Sequence, residues 1–390
     1  MCVGISTLKM TVVDTISMWY AQNVLIPKME EINHPGFIIT NLSEANSEIS
    51  LRELALPEEV FSQLEKRIIE KFGEEGRKVL YSIGKKFGYY YASLSRLKQI
   101  TNAKNEKEFD EFVKYFVMYV SCIFASGASS RIELKEKKFE VDFNDYIICR
   151  KNGQGYILTI GGSAGVWSYM LDDKSLEGAQ TLCTGRGDKV CQIIVAPTEY
   201  LDRRNIKYYN ETNLIATDFS TAYQEMNLVR NAEYSKNSLE ELIDNGFVSY
   251  EKGVLKCLDE RYFICEASLL HFLEVELQKI EGGLDILSEV SVNYGRQLAE
   301  KSKHGYNYED FIPNFLAALG YGDVLMSNDE GKIKIFISYF PWSEISVEHQ
   351  YTMLRGMITG MISGFIKKEV KINFKESSQI NGFLGVIFSG

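Results

Sequence analysis

The sequence predicts an α+β protein made by tandem duplication of one helical-plus-antiparallel-sheet domain. Three observations carry this. Residues 51–92 align with 258–299 without a gap, and Gly76, Leu80, Gly88 and Ala92 fall on Gly283, Leu287, Gly295 and Ala299. A later block sets Gly161 and Gly165 on Gly356 and Gly360, and an earlier one pairs Gly36-Phe37 with Gly246-Phe247. In each stretch, periodicity reads as helices, then a hairpin, then a helix, then a hairpin, with no βαβ alternation. The expected division is a helical extension over 1–35, copy one over 36–197, a partly helical linker over 198–245, and copy two over 246–390.

The elements follow in order. Met10 to Ile26 reads as an apolar helix packed on copy one. Residues 57–72 and 266–280 have helical apolar spacing, and 75–98 and 283–302 form the next helix. That helix carries small residues every fourth position: Gly84, Gly88 and Ala92, then Ser291, Gly295 and Ala299. Each interior glycine costs about 1 kcal/mol against alanine, so the repeat implies close approach of another helix or a ligand. A third helix is expected at 107–124 and 308–319. Residues 132–150 read as strands, including Tyr146 to Arg150, and copy two turns a hairpin at Asn328-Asp329-Glu330-Gly331. Helices near 156–171 and 346–366 follow, then strands at 175–182 with 189–195 and at 369–375 with 383–388. A linker helix is expected from about 216.

Composition narrows the function. Hydrophobic residues make up 45% and charged residues 25%, ordinary for a globular chain. A net charge of -10 argues against broad nucleic-acid binding. Seven cysteines in 390 residues are too sparse for a disulfide scaffold. Lys9 and Asp14 interrupt the only candidate leader, and no apolar run reaches about 18 residues, so a cytoplasmic protein without a membrane span is expected. No Walker loop, HExxH or Ser/His/Asp constellation appears, and His34, His271, His304 and His349 read as surface or packing residues.

The most specific local signal is Cys183-Thr-Gly-Arg-Gly-Asp-Lys-Val-Cys191. Gly187-Asp188 reads as a turn that sets two thiols face to face across a hairpin. Such thiols form half of a zinc site, a disulfide, or a pair of buried apolar residues. Candidate walls of a hydrophobic pocket are Tyr89, Tyr90, Tyr91, Phe116, Tyr119, Trp167 and Tyr169, against ordinary core packing. Gly356, Gly360 and Gly364 stripe a Met-rich helix, read as close helix packing in water; copy two would mainly supply packing, and Gly360→Leu would weaken domain pairing or assembly.

The Cys hairpin, the Gly-spaced helix before it and the paired helices around Glu74-Glu75-Gly76 resemble the 4-vinyl reductase domain, in two tandem copies, the second degenerate. The resemblance implies a fold like the core subunits of the TRAPP complex and the effector-sensing domains of aromatic-responsive transcription activators. It implies an interior pocket for a small hydrophobic molecule, with Tyr89, Tyr91, Phe116, Trp167 and Tyr169 as candidate ligand-binding residues. It also implies zinc on Cys183 and Cys191 with a Glu and an upstream Cys. The Glu position is held by Gln180, and the nearest upstream thiol is Cys149, further away than the family spacing. Ser378 and Val386 stand at the Cys positions of copy two, where no metal is expected. The reading is a non-enzymatic regulator that binds a small hydrophobic ligand or a protein partner, plausibly the transcription machinery, without sequence-specific DNA binding. An assembly scaffold of the TRAPP type is the alternative, and a reductase-like enzyme the third. A sensor should enclose an apolar pocket above a few hundred Å³, whereas a scaffold should have filled cores.

Overall fold

A computed structural model describes residues 19–21, 26–44, 47–102, 104–125, 127–147, 149, 155–214, 227–251, 254–302, 307–341, 349–380 and 383–390. Most of the expected N-terminal helix and the start of the expected linker helix lie outside these residues.

Helices and antiparallel sheets are both present, as the sequence implies. Strands β1 (Glu30–His34), β2 (Phe37–Glu44) and β3 (Ser47–Pro57) lead into helix α1 (Glu58–Leu94). Helix α2 (Glu106–Phe124) precedes β4 (Gly127–Glu133) and β5 (Lys138–Asn144). Helix α3 (Ile157–Met170) precedes β6 (Leu176–Leu182) and β7 (Cys191–Pro197). After a connection comes β8 (Val248–Glu251), β9 (Val254–Cys257), β10 (Glu260–Glu266), α4 (Ser268–Leu277), α5 (Gly283–Ser302) and α6 (Tyr308–Ala318). Then follow β11 (Asp323–Asp329), β12 (Lys332–Ser338), α7 (Thr352–Ile366), β13 (Asn373–Ile380) and β14 (Phe383–Ser389).

Two sheets share one order, β4-β5-β7-β6 and β11-β12-β14-β13. The third runs β1-β2-β3-β10-β9-β8, so its centre is a pairing between the two halves, with Glu53 opposite Glu266 and Ala55 opposite Ile264. Sequence periodicity carries no trace of this pairing, because strand partners far apart in the chain leave no local pattern. The two expected helices of the first half are joined in α1, which kinks at Gly73 (φ 57°, ψ -124°); in the second half the corresponding break falls between α4 and α5. The expected strand from Tyr146 to Arg150 lies partly outside the described residues, and its described part does not continue the sheet: β5 ends at Asn144, Asp145 takes φ 48°, and Tyr146, Ile147 and Cys149 lie outside any strand.

The aligned glycines sit in matching places. A Cβ on Gly88 would lie 2.1 Å from the Gly162 carbonyl oxygen, and one on Gly295 would lie 2.2 Å from that of Met357. A Cβ on Gly165 would meet the Lys85 oxygen at 2.1 Å, and one on Gly360 the Val292 oxygen at 2.0 Å. Thus α1 crosses α3, and α5 crosses α7, backbone against backbone. This corrects the reading of Gly360 as a pairing residue: it packs α7 on α5 within the second half.

The halves interlock. Arg52 of β3, fully buried, donates Nη2 to the carbonyls of Gly320 (2.9 Å) and Tyr339 (3.4 Å) in the second half, and stacks 3.9 Å from the Phe37 ring centroid. Arg261 of β10 reaches the other way, donating Nη1 to the Asp145 carbonyl at 3.4 Å. Tyr339 (φ 60°) and Asp145 (φ 48°) both follow the second strand of their sheet. Main-chain bonds add to this: Ala55 N–H donates to the Leu319 carbonyl and Gly36 N–H to that of Ala317, both at 3.0 Å.

Burial also stores a pH dependence. Glu30 of β1 is pushed from 4.5 up to about 7 by burial, against the opposing hydrogen bond from the Tyr250 hydroxyl. The folded chain therefore holds a proton that the unfolded chain loses, and the Glu30 contribution to stability falls as pH rises from about 4.5 to about 7. Urea denaturation at pH 5 and pH 7.5 should show the fall, and Glu30→Gln should reduce it, the raised Glu53 and Glu65 carboxyls keeping the rest; an unchanged slope in that variant would contradict this assignment.

Candidate ligand cavity and thiol cluster

An apolar cavity of about 140 Å³ lies between the first half and the central sheet. Its walls come from the second half of α1 (Phe87, Gly88, Tyr91), from α2 (Val113, Phe116, Val117, Val120, Phe124), from β5 (Phe139, Val141, Phe143) and from α3 (Leu158, Gly162, Val166, Trp167, Met170). The last wall belongs to the other half: Phe263, Ile264, Cys265 and Glu266 of β10, with Leu269 of α4. The volume is below the few hundred Å³ expected of a sensor. It matches the roughly 150 Å³ that accommodates a benzene ring in an engineered cavity lined by apolar side chains.

Helix phase sorts the candidate residues. Tyr91, Phe116 and Trp167 line the cavity. Trp167 is held by Phe139, stacked at 4.7 Å, and by an Nε1 hydrogen bond to the Lys137 carbonyl at 3.4 Å. Tyr89 and Tyr169 are not among the lining residues; they pack edge-to-face on each other at 5.7 Å. Tyr90 turns to Phe272 of the second half at 5.5 Å. The Tyr119 side chain lies outside the described residues. The glycine stripe serves both readings: it lets α1 and α3 cross, and Gly88 and Gly162 border the cavity.

The second half has an aromatic cluster of its own. Phe311 and Phe315 stack at 5.2 Å, and Phe247 and Phe365 pack against Phe311 at 6.1 and 5.6 Å.

Beside the cavity, the sulfurs of Cys149, Cys183 and Cys191 lie within 4.8 Å of one another, all buried. The hairpin is built as its sequence suggests. Gly187 takes φ 96°, and the Asp188 carboxylate accepts from Cys183 N–H at 2.8 Å. Cys191 Sγ accepts from Thr184 N–H at 3.4 Å. Cys149, which the sequence offers only as the nearest upstream thiol beyond the family spacing, completes the group. Gln180, at the position of the expected Glu, donates Nε2 to Cys149 Sγ at 3.4 Å and accepts from Tyr156 N–H at 3.2 Å. Gly155 (φ 93°) passes so close that a Cβ would lie 2.2 Å from Gln180 Oε1.

Hydrogen bonds from Cys149 and Cys191, joined by the N–H groups of Gly185 and Arg186, lower the Cys183 thiol, and the same sharing raises Cys149. Three sulfurs at this spacing suit a zinc ion: bonds near 2.3 Å in a tetrahedron set sulfurs about 3.8 Å apart. Among the described residues no fourth cysteine joins them. Val386, at one thiol position of the second half, is fully buried in the core, and the Ser378 side chain lies outside the described residues.

The histidines hold a surprise for the sequence reading. His349 is buried, donates Nδ1–H to Glu274 Oε2 (2.8 Å), and is hydrogen-bonded through Nε2 to His271 Nδ1 (2.7 Å). Glu274 also accepts from Thr352 N–H at 3.1 Å, so the group caps α7.

No family model matches the chain, and no curated protein matches it. Part of the chain is distantly similar to solved structures, among them these two. The phenol-responsive sensory domain of the transcription activator PoxR with phenol is 13% identical, with a TM-score of 0.34, over 49% of this chain and 92% of that one. A trafficking protein particle complex subunit 3 from Naegleria fowleri, covalently bound to palmitic acid, is 15% identical, with a TM-score of 0.27, over 40% of this chain and 98% of that one. Among the described residues, no helix is long and apolar enough to cross a membrane.

Proposed function

We propose that the chain is a ligand-responsive regulatory protein: a tandem duplication folded as a pseudo-dimer, whose first copy holds a small apolar molecule. The observation that carries this is the aromatic-walled cavity of about 140 Å³, closed on its last side by β10 and Leu269 of the other copy. A ligand there touches both copies, so its binding steadies their mutual seating and any surface they form together. Output is then a contact with another protein, the transcription machinery being the partner class we favour. The second copy acts as wall and packing partner. A scaffold alone calls for two filled cores, and the first copy's cavity weighs against it.

Cys149, Cys183 and Cys191 would hold zinc, pinning the β6–β7 hairpin and the segment that carries Tyr146 and Tyr156 into the cavity wall. Protein purified from its own host should carry about one zinc per chain, and Cys149→Ser should lose most of it to a mild chelator. Metal analysis showing full zinc retention in Cys149→Ser would remove this thiol from the ligand set.

Native mass spectrometry on the same material tests the ligand. The expected spectrum has a small organic adduct that is lost on heating. Toluene at about 100 times its dissociation constant should add about 2.7 kcal/mol to the stability of adduct-free protein. No adduct and no stabilisation by any one-ring compound would overturn the reading.

A further inference from the structure

We propose that the molecule bound in the first copy's cavity is a small amine, whose ammonium group lies against the carboxylate of Glu53 while its apolar body fills the aromatic space. This rests on the cavity being a ligand site, as argued above, and names the chemical class that the site selects.

The central sheet places Glu53 of β3 directly opposite Glu266 of β10. Opposed antiparallel partners carry their side chains on one face, where like charges destabilise. Both are buried, at 4% and 1% exposure, and both line the cavity. The groups that face Glu53 are Glu266 and Cys265 from β10, Glu30 from β1, Tyr91 from α1 and the Thr40 hydroxyl of β2, whose hydrogen bond is its one opposing influence. No lysine or arginine among the described residues acts on it. Arg52, its neighbour in the strand, projects to the other face and is committed to the Gly36, Gly320 and Tyr339 carbonyls. A buried carboxyl without a cation keeps its proton: burial, then Glu266, then Glu30 push Glu53 well above the ordinary range.

The rest of the cavity is mainly aromatic and aliphatic, with the Thr159 and Ser163 hydroxyls of α3 as further polar groups, so one end of a largely apolar space carries an acid short of a positive charge. A neutral hydrocarbon fills the space and leaves that acid protonated. A carboxylate ligand would bring a buried negative charge with no cation to pair it. An ammonium supplies the missing charge: it enters as R–NH3+, the Glu53 proton leaves to solvent, and a charge-assisted hydrogen bond forms between N–H and carboxylate. The remaining N–H donors have the Glu266 and Tyr91 oxygens at the same end.

The test is titration calorimetry on the full chain with benzylamine, toluene, benzyl alcohol and benzoate, in two buffers of different ionisation enthalpy. Benzylamine should bind about tenfold or more tightly than toluene or benzyl alcohol, the worth of one charge-assisted hydrogen bond. It should release up to about one proton per molecule bound, and benzoate should not bind. In Glu53→Gln, benzylamine should fall to the level of toluene or below, with toluene within about twofold of its original affinity. Should Glu53→Gln fail to fold, the proton count and the ranking on the unmodified chain decide. Equal binding of toluene and benzylamine, or amine binding without proton release, would overturn the amine and leave the cavity standing. Binding of none of the four would overturn both.

Discussion

Gly84→Val is expected to leave little folded protein. A Cβ at Gly84 would lie 1.8 Å from the Leu158 carbonyl oxygen, 2.7 Å from its carbon and 2.9 Å from Gly162 N. Every obstacle is backbone, so no rotamer change relieves it. Overpacking usually costs about 1–3 kcal/mol because side chains give way. Here α1 and α3 must separate along their whole crossing, and a cost above about 4 kcal/mol is expected, a large part of the 5–15 kcal/mol typical of a domain. Gly127→Ala is the control: its Cβ would meet only Asn144 Nδ2, at 3.5 Å. Urea denaturation should show a small change for Gly127→Ala and a collapsed midpoint, or insoluble protein, for Gly84→Val. A Gly84→Val protein of normal stability would mean that the helices do not cross this closely. Gly360→Leu should act in the same way on α5 and α7.

Lys85→Met is expected to cost about 3–5 kcal/mol. Lys85 and Glu177 form an ion pair at 2.8 Å, with both side chains fully buried. Tyr81 donates its hydroxyl to Glu177 at 2.6 Å, and Glu211 N–H donates to it at 3.0 Å. These dipoles remain in the variant, but the carboxylate loses its only contacting cation among the described residues. Burial disfavours the charged form of both partners, and their mutual attraction opposes it. Removing both charges is therefore milder than removing one: Lys85→Met with Glu177→Leu should recover at least half of the loss. A double variant as unstable as Lys85→Met alone would show that the cost was shape and not charge.

The glycines were the legible part of this fold. Their four-residue spacing appears in both halves, and close helix approach is what a helical glycine permits. The thiol hairpin was legible for the same reason, since Gly187-Asp188 is a local turn signal. Cys149 was not, because it reaches Cys183 and Cys191 only once α3 and β6 have folded back past it. Tyr146 to Arg150 has the apolar, β-branched look of a strand, and periodicity cannot separate a buried strand from another buried segment. The three tyrosines at 89–91 make the same point at side-chain scale. Each step along a helix turns the side chain by about 100°. Tyr91 thus faces the cavity, Tyr90 the second half and Tyr89 the Tyr169 ring. Sequence named the aromatic run, but only the packing of α1 chose the face. The acidic end of the cavity was hidden more deeply, since Glu53 and Glu266 meet through a strand pairing between the halves.

The most direct measurement of the ligand reading is diffraction from crystals soaked in iodobenzene, with the iodine located by its anomalous signal. The account predicts one strong peak inside the first copy, ringed by Phe116, Trp167 and Phe263, with the surrounding backbone in place. Iodine found only on the surface, or a first copy whose side chains fill that space, would contradict it.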